Sequence, residues 1–338
     1  MSADVMLFGA AFLALLLVPF LPGLIELRQG RDVAPLSINS DNTKDPRHFG
    51  RAFRALLERH VPDHEGSLPL KTEIQLRRTE TLEVHEAVSV GPGETSSSIL
   101  VSKGNATIGR EARVGEIYAT GDARVKEAAR IRGLACDGSL IMQPGCVVER
   151  WIDSEGNASV GAGCDLGVSA SAGGRLKLTS GCRFQRLWGL PISTGRAPTD
   201  AVDQASDGRP LEGAVVWADK WLSFPDGSVI KSDVITHGEV RVGAGSVVKG
   251  SIKAHGDITL ARGVTVEGNV VSRGSVRLER GVRVRGNIFV EKDLFIGPNA
   301  RIGHREGHKS AYSSGKITLS KGTLVYGRLY AESGGQVI

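Results

Sequence analysis

The sequence predicts an all-β fold: a parallel β-helix, built as a triangular solenoid of 17–18 residues per turn, with an N-terminal transmembrane helix. Three observations lead there. Glycine recurs at fixed positions of an 18-residue period, apolar residues fall two apart between those glycines, and one long uncharged apolar run lies near the N-terminus. Composition agrees with them. The chain has 338 residues, of which 44 are glycine and 5% aromatic, so few large rings are available for a thick globular core. Abundant glycine without the collagen period suits a fold of many tight turns. The formal net charge is +5, with the basic excess in the C-terminal half. Such a surface favours anionic partners such as phospholipid headgroups, acidic polysaccharide, nucleic acid or an acidic protein face.

Residues 1–27 are expected to be a membrane anchor. Positions 5–25, VMLFGAAFLALLLVPFLPGLI, carry no charge. About twenty residues at ~1.5 Å each span the ~30 Å hydrocarbon layer. Phe8, Phe12, Leu16 and Phe20 would be its large lipid-facing side chains. A secretory signal would begin with Lys or Arg and end in a small-residue cleavage site, and neither pattern is present. Arg28, Arg31, Lys44, Arg47, Arg51 and Arg54 all follow the run, so the positive-inside rule places the C-terminal part in the cytoplasm.

Residues 28–72 read as a linker without strand alternation. Within it, Asp45-Pro46 has the form of a helix N-cap followed by proline at the first helical position. Phe49, Phe53, Leu56 and Leu57 would share one helical face, and Arg47, Arg51, Arg54 and Arg59 would line much of the remainder. A basic amphipathic helix of this kind suits the headgroup layer of a membrane or the open first turn of a solenoid.

The repeat is plainest in the last block, residues 226–338. From Gly238 the chain reads GEVRVGAGSVVKGSIKAH, GDITLARGVTVEGNVVSR and GSVRLERGVRVRGNIFVE. Gly238, Gly256 and Gly274 coincide, as do Gly245, Gly263 and Gly281, and Gly250, Gly268 and Gly286. Three turn positions per repeat imply three short strands. Their inward faces are Val240/Val242, Val264/Val266 and Ile252/Ala254 with their equivalents one turn on. A first block, residues 73–186, repeats at 17–18 residues through Gly104, Gly121, Gly138 and Gly156, with Val114, Ile131, Val148, Leu166 and Phe184 as an inward column. Cys146, Cys164 and Cys182 recur at this period and should stack as small buried side chains. No CxxC pair is present to suggest zinc. Residues 187–225, with Trp188, Trp217 and Trp221, break the period and read as an insertion packed on the outer wall. Eleven or twelve turns would result. After Ile302 the register slips by about five residues within 304–314, which reads as a basic surface loop.

Residues 238–303, with segments such as Gly-Ser-Val-Arg-Leu and Val-Arg-Gly-Asn-Ile and a low aromatic content, resemble a bactofilin domain. The resemblance implies a β-helix that polymerises end to end without nucleotide at the cytoplasmic side of the inner membrane, scaffolding cell-shape or cell-envelope machinery and recruiting other proteins. The expected protein is then a single-pass inner-membrane scaffold and homopolymer, not an enzyme. Its partners are itself, the membrane and an envelope-machinery protein, with an acidic surface also in reach. No nucleic acid, cofactor, metal or catalytic residue is expected. The alternative is a left-handed β-helix hexapeptide-repeat acyltransferase, whose turns also take 18 residues, with His237 and His255 as the spaced histidines that a general base would require. P-loop, dinucleotide and nucleophile-elbow patterns are absent. The sequence ends without a polar cap or terminal helix. This makes the last turn, with Ile317, Leu319, Val325 and Leu329, the expected polymerisation interface. Outward positions Phe289, Tyr330, Arg241, Arg277 and Phe295 form the expected partner surface, aromatic residues flanked by arginine.

Overall fold

Short strands alternating inward apolar and outward polar residues, joined at glycine corners, stack into a β-solenoid of about 13 turns. The computed structural model describes residues 45–60, 72–77, 80–195 and 215–338, with Phe8, Phe12 and Val18 as isolated positions. The chain divides into two compact units, Met1–Lys44 and Asp45–Ile338, and the solenoid belongs to the second. Among the described residues no helix is long and apolar enough to cross a membrane. Phe8 and Phe12 are exposed. Leu16, Phe20 and the rest of the expected anchor, apart from Val18, lie outside the described residues.

Every turn of the second block shows how the sequence makes the fold. Val240 pairs in parallel with Ile258, Ile258 with Val276, Val276 with Leu294 and Leu294 with Ile317. All five are buried, while Arg241 and Arg277 between them point outward. At the corners Gly245, Gly263 and Gly281 have φ of 69°, 72° and 70°, a region that strains other residues. Gly238 serves a different purpose: a Cβ there would lie 1.3 Å from the Lys220 carbonyl oxygen, so only glycine lets adjacent turns approach. Another corner is tied by side chains. Asn269 Oδ1 accepts from the Asn287 N–H at 2.8 Å, and Asn287 Oδ1 accepts from the Ser310 N–H at 2.9 Å. The register slip is confirmed, since Ile288 pairs with Ala311 and a tight turn joins His304 to Gly307.

The first block rises in the same way from Glu80–His85 to Arg183–Thr194. Its first strand is covered on the outer side by the antiparallel strand Thr72–Arg77. The expected insertion at 187–225 is corrected at both ends. Residues 183–194 form one strand of the first block, with Leu187 and Ile192 buried, and Val216–Ala218 and Leu222–Phe224 are strands of the second. These added strands account for the larger number of turns. Tryptophan and proline content disguised them, although their inward positions keep the pattern.

The connection between the blocks is the main surprise. Arg183–Thr194 pairs antiparallel with the last strand of the chain, Leu324–Val337. Leu187 faces Leu329, Gly189 faces Gly327 and Ile192 faces Val325. The two blocks therefore meet tail to tail, each closing the end of the other. Gly335 makes room at this seam, because a Cβ there would come within 2.3 Å of the Phe184 ring.

The helix α1, His48–His60, begins as the sequence predicts, with the Arg47 N–H donating to Asp45 Oδ1 at 2.9 Å. It packs on the side wall of the first block. Phe53 and Leu57 join Leu82, Val84, Ile99, Val101, Ala135 and Trp151 in a second apolar cluster, while Leu56 stays exposed. Gly50 lets the helix lie close, since a Cβ there would meet Asp153 Cβ at 2.3 Å.

Candidate assembly end and interaction surfaces

A parallel ladder uses alternate residues of each strand toward each neighbour, so the first turn of a stack shows which groups are left over. In the first turn of the second block, Val216 and Leu222 donate to Asp233 and Glu239, and the carbonyls of Ala218 and Phe224 accept from His237 and Gly243. The intervening Trp217 and Ser223 aim their N–H and C=O away from the stack, as does Val229 between Ser228 and Ile230. No strand among the described residues pairs with this side of Val216–Ala218, Leu222–Phe224 or Val229–Ile230. Val215, Trp217, Trp221 and Val229 are exposed around it, and Leu222 and Phe224 are only half-buried against the core. Among the described residues this turn is an open solenoid end with an apolar rim.

The expected open end lies elsewhere in the sequence and is closed. Ile317, Leu319, Val325 and Leu329 are all buried inward positions, and the last strand that carries Val325 and Leu329 is paired with Arg183–Thr194 of the same chain. The cap of this end is the last strand of the first block.

The expected partner residues fall on two outward columns. The register aligns Trp217, Ile235, Lys253, Val271, Phe289, Tyr312 and Tyr330 in one. Tyr312 and Tyr330 meet edge to face at 5.5 Å between centroids, and Phe289 is exposed. In the other, Arg241, Thr259, Arg277, Phe295, Thr318 and Gln336 are in line. The Arg277 guanidinium lies 4.7 Å from the centre of the Phe295 ring. Tyr312 was missed because the five-residue slip hides its place beside Tyr330.

Helix α1 brings two arginines into an acidic recess on the first block. Arg47 Nε and Nη2 donate to Asp153 Oδ1 and Oδ2 at 2.9 and 2.8 Å, and its Nη1 donates to Glu155 at 2.8 Å. Arg54 donates to Asp137 at 2.7 Å and to Asp153 at 2.5 Å. Burial alone would raise the Asp153 carboxyl, but bonds from Arg47 and Ser171 and the arginine charges hold it below the usual carboxylate range. Arg47 and Arg54 are therefore inward ion-pair partners, not the exposed basic face expected of them. Arg51 and Arg59 are exposed as expected.

Cys146, Cys164 and Cys182 stack as expected, all free and fully buried. Burial pushes Cys182 up, and pushes Cys136 up to about 11. His237 and His255 stack at 4.7 Å on an outer corner, with Trp217 edge-on to His237 at 5.8 Å. Lost hydration, then the charges of Arg273, His237 and Lys253, hold His255 below the ordinary histidine value. His308 and Trp188 meet edge to face, 5.9 Å between ring centroids. Among the described residues no group of three or more His, Cys, Asp or Glu side chains is placed to hold a metal. An open cleft of about 340 Å³ lies on the seam, lined by Asp165, Arg183, Gln185, Lys316 and Gln336 beside Gly334 and Gly335 of the last strand. Compared with known proteins, the chain matches no family, no curated protein and no solved structure.

Proposed function

We propose that this chain is a membrane-anchored scaffold that assembles end to end without nucleotide and organises cell-envelope or morphogenesis machinery, as its resemblance to bactofilins implies. The supporting observation is the open first turn of the second block. Among the described residues three strands there keep unpaired edges inside a rim of exposed Trp217, Trp221, Val215 and Val229. An unpaired edge is a template for another chain, and an apolar rim adds burial to the new hydrogen bonds. Residues 5–25 hold the scaffold in the inner membrane with the solenoid in the cytoplasm. The columns of Phe289 and Tyr330, and of Arg241, Arg277 and Phe295, take up a partner protein, with the basic excess of the C-terminal half assisting capture of an acidic face.

Ser223→Pro tests the reading. The Ser223 N–H points away from the stack, so proline removes a donor that only an added strand would use, and proline is tolerated on an edge. In sedimentation and negative-stain microscopy of the full chain in detergent micelles, the wild type should form assemblies many molecules long. The variant should give discrete particles with an unchanged circular dichroism spectrum. Equal assembly of both would remove this end as the junction. Wild-type trimers that consume an acyl donor would establish the acyltransferase alternative instead.

A further inference from the structure

The basic excess of the second block is gathered on one of its three walls. That wall is built by Val229–Ile230, Val247–Val248, Thr265–Val266, Arg283–Val284 and Arg301–Ile302, paired in parallel over five turns. Ile230, Val248, Val266, Val284 and Ile302 are buried, so the residues on either side of each point outward. Lys231 and Lys249 follow the first two strands, Arg262 and Arg280 stand at the corner that leads into the wall, and Arg301 opens its last strand. The first four are exposed and Arg301 is half-buried. Strands stack about 4.8 Å apart, so these cations spread over ~20 Å of the wall.

Few acids accompany them. None of the five forms an ion pair among the described residues. Arg283 and Arg285 have partners of their own, Glu267 lying 3.8 Å from Arg285, and stand outside this balance. Asp226, at the start of the corner column, and Glu306, in the turn after Gly303, are the other acids, so five cations face two. The other walls are mixed. One sets Arg241, Arg277 and Lys316 beside Glu239, Asp257, Glu279 and Asp293, with Arg241 and Glu239 3.5 Å apart. The other sets Lys253 and Arg273 beside Asp233 and Glu291, with Arg273 and Glu291 3.8 Å apart.

We infer that this wall is a seat for an anionic lipid surface, whose headgroups supply the missing counter-charge. The wall carries no aromatic side chain: its outward residues are Val, Thr, Gly, Glu, Lys and Arg. Protein interfaces draw their anchors from Tyr, Trp and Arg set in pockets, and single-stranded nucleic acid needs rings to stack on. A duplex is read by an element that enters its groove, and a plane of stacked strands offers none. A bilayer surface asks only for cations within a screening length of about 8 Å, and a plane meets a plane. Phe289, Tyr330, Arg241, Arg277 and Phe295 lie on the other two walls, so lipid and a partner protein do not compete. The seat rests on the anchor reading for the nearness of a bilayer, because tethering raises the effective concentration of headgroups.

Headgroup quenching tests the seat, with the full chain in vesicles of phosphatidylcholine alone and of phosphatidylcholine with one quarter phosphatidylserine. Each vesicle contains a trace of headgroup-spin-labelled phosphatidylcholine. A bimane dye on Thr265→Cys reads the basic wall, and one on Thr259→Cys reads its neighbour. The four native cysteines are fully buried and stay unlabelled. Phosphatidylserine should raise quenching at position 265 at least threefold, leave position 259 unchanged, and lose its effect as salt is raised. The combined variant Lys249→Gln, Arg262→Gln, Arg280→Gln and Arg301→Gln should lose the gain, and Arg241→Gln should keep it. Flotation with pure phosphatidylcholine vesicles at high salt reads the anchor separately. A chain that floats only with phosphatidylserine at low salt has the seat without the anchor. The seat is refuted if phosphatidylserine leaves quenching at position 265 unchanged, or if the combined variant, folded by circular dichroism, gains it as the wild type does. Retention of a DNA duplex that the combined variant loses, with no effect of phosphatidylserine, would make the wall a nucleic-acid surface instead.

Discussion

Asp153 is 1% exposed and accepts hydrogen bonds from Arg47, Arg54 and Ser171. A buried carboxylate survives only when its partners replace the lost water, and here two guanidiniums do so. Asp153→Ala would leave both arginines facing the recess with Asp137 and Glu155 alone, a loss of about 3–5 kcal/mol in helix docking. Amide hydrogen exchange across His48–His60 should accelerate accordingly, while the stacked strands retain their protection. The pH dependence follows from the lowered carboxyl. Its contribution is present above the usual aspartate value of ~4 and is lost as pH falls through its folded value, which lies lower. The helix should therefore stay docked at pH 5 and release only in stronger acid. Release near pH 6, followed by limited proteolysis, would mean that some other group fastens it.

Two features hold segments against the solenoid: a helix on the side wall and the pairing of Arg183–Thr194 with Leu324–Val337. The helix carries an apolar stripe, and the wall supplies the complementary one: Phe53 meets Trp151 edge to face at 5.3 Å. Gly133 leaves the space that Trp151 occupies, since a Cβ there would approach its ring to 2.9 Å. The terminal strands make the seam through Leu329, buried opposite Leu187. Leu329→Asp places a carboxylate in that pairing without a cation to meet it. The expected outcome is a separated seam: a fall in melting temperature together with new protease cuts in Leu324–Val337. A variant that assembles poorly but keeps the wild-type melting temperature would instead make this strand an intermolecular contact.

At the scale of the whole molecule, two solenoid blocks protect each other. Each block presents its last turn to the other, and among the described residues the strands of Val216–Ile230 at the start of the second block have no partner on their outer side. Truncation before Leu324 removes the shared strand and uncovers both tails at once. The shortened chain should aggregate without limit under conditions in which Ser223→Pro in the full chain gives discrete particles, a comparison that light scattering can make directly. If the truncated chain stays discrete, the seam is not what keeps the tails from pairing. This arrangement also explains why the outward columns run so far: Trp217 to Tyr330 lie in one register, and Tyr330 then continues across the seam to Arg186.

Local periodicity was enough to determine the solenoid, its inward columns, the stacked cysteines and the capped start of helix α1. Each depends on residues within about one turn of each other, and an 18-residue repeat writes those contacts directly into the sequence. Phe289, Tyr330, Arg241, Arg277 and Phe295 were placed outward for the same reason: alternation decides which side of a strand a residue occupies. What periodicity could not specify was which edges remain free. Leu187 meets Leu329, and Arg47 meets Asp153, across more than a hundred residues, and no repeat encodes such pairs. Arg47 and Arg54 read as a basic surface because their acids belong to another element. Ile317, Leu319, Val325 and Leu329 read as an open end because their cap, Arg183–Thr194, lies more than a hundred residues earlier in the chain. Pairing between distant segments depends on which surfaces remain exposed once each block has stacked, and only the tertiary structure decides that.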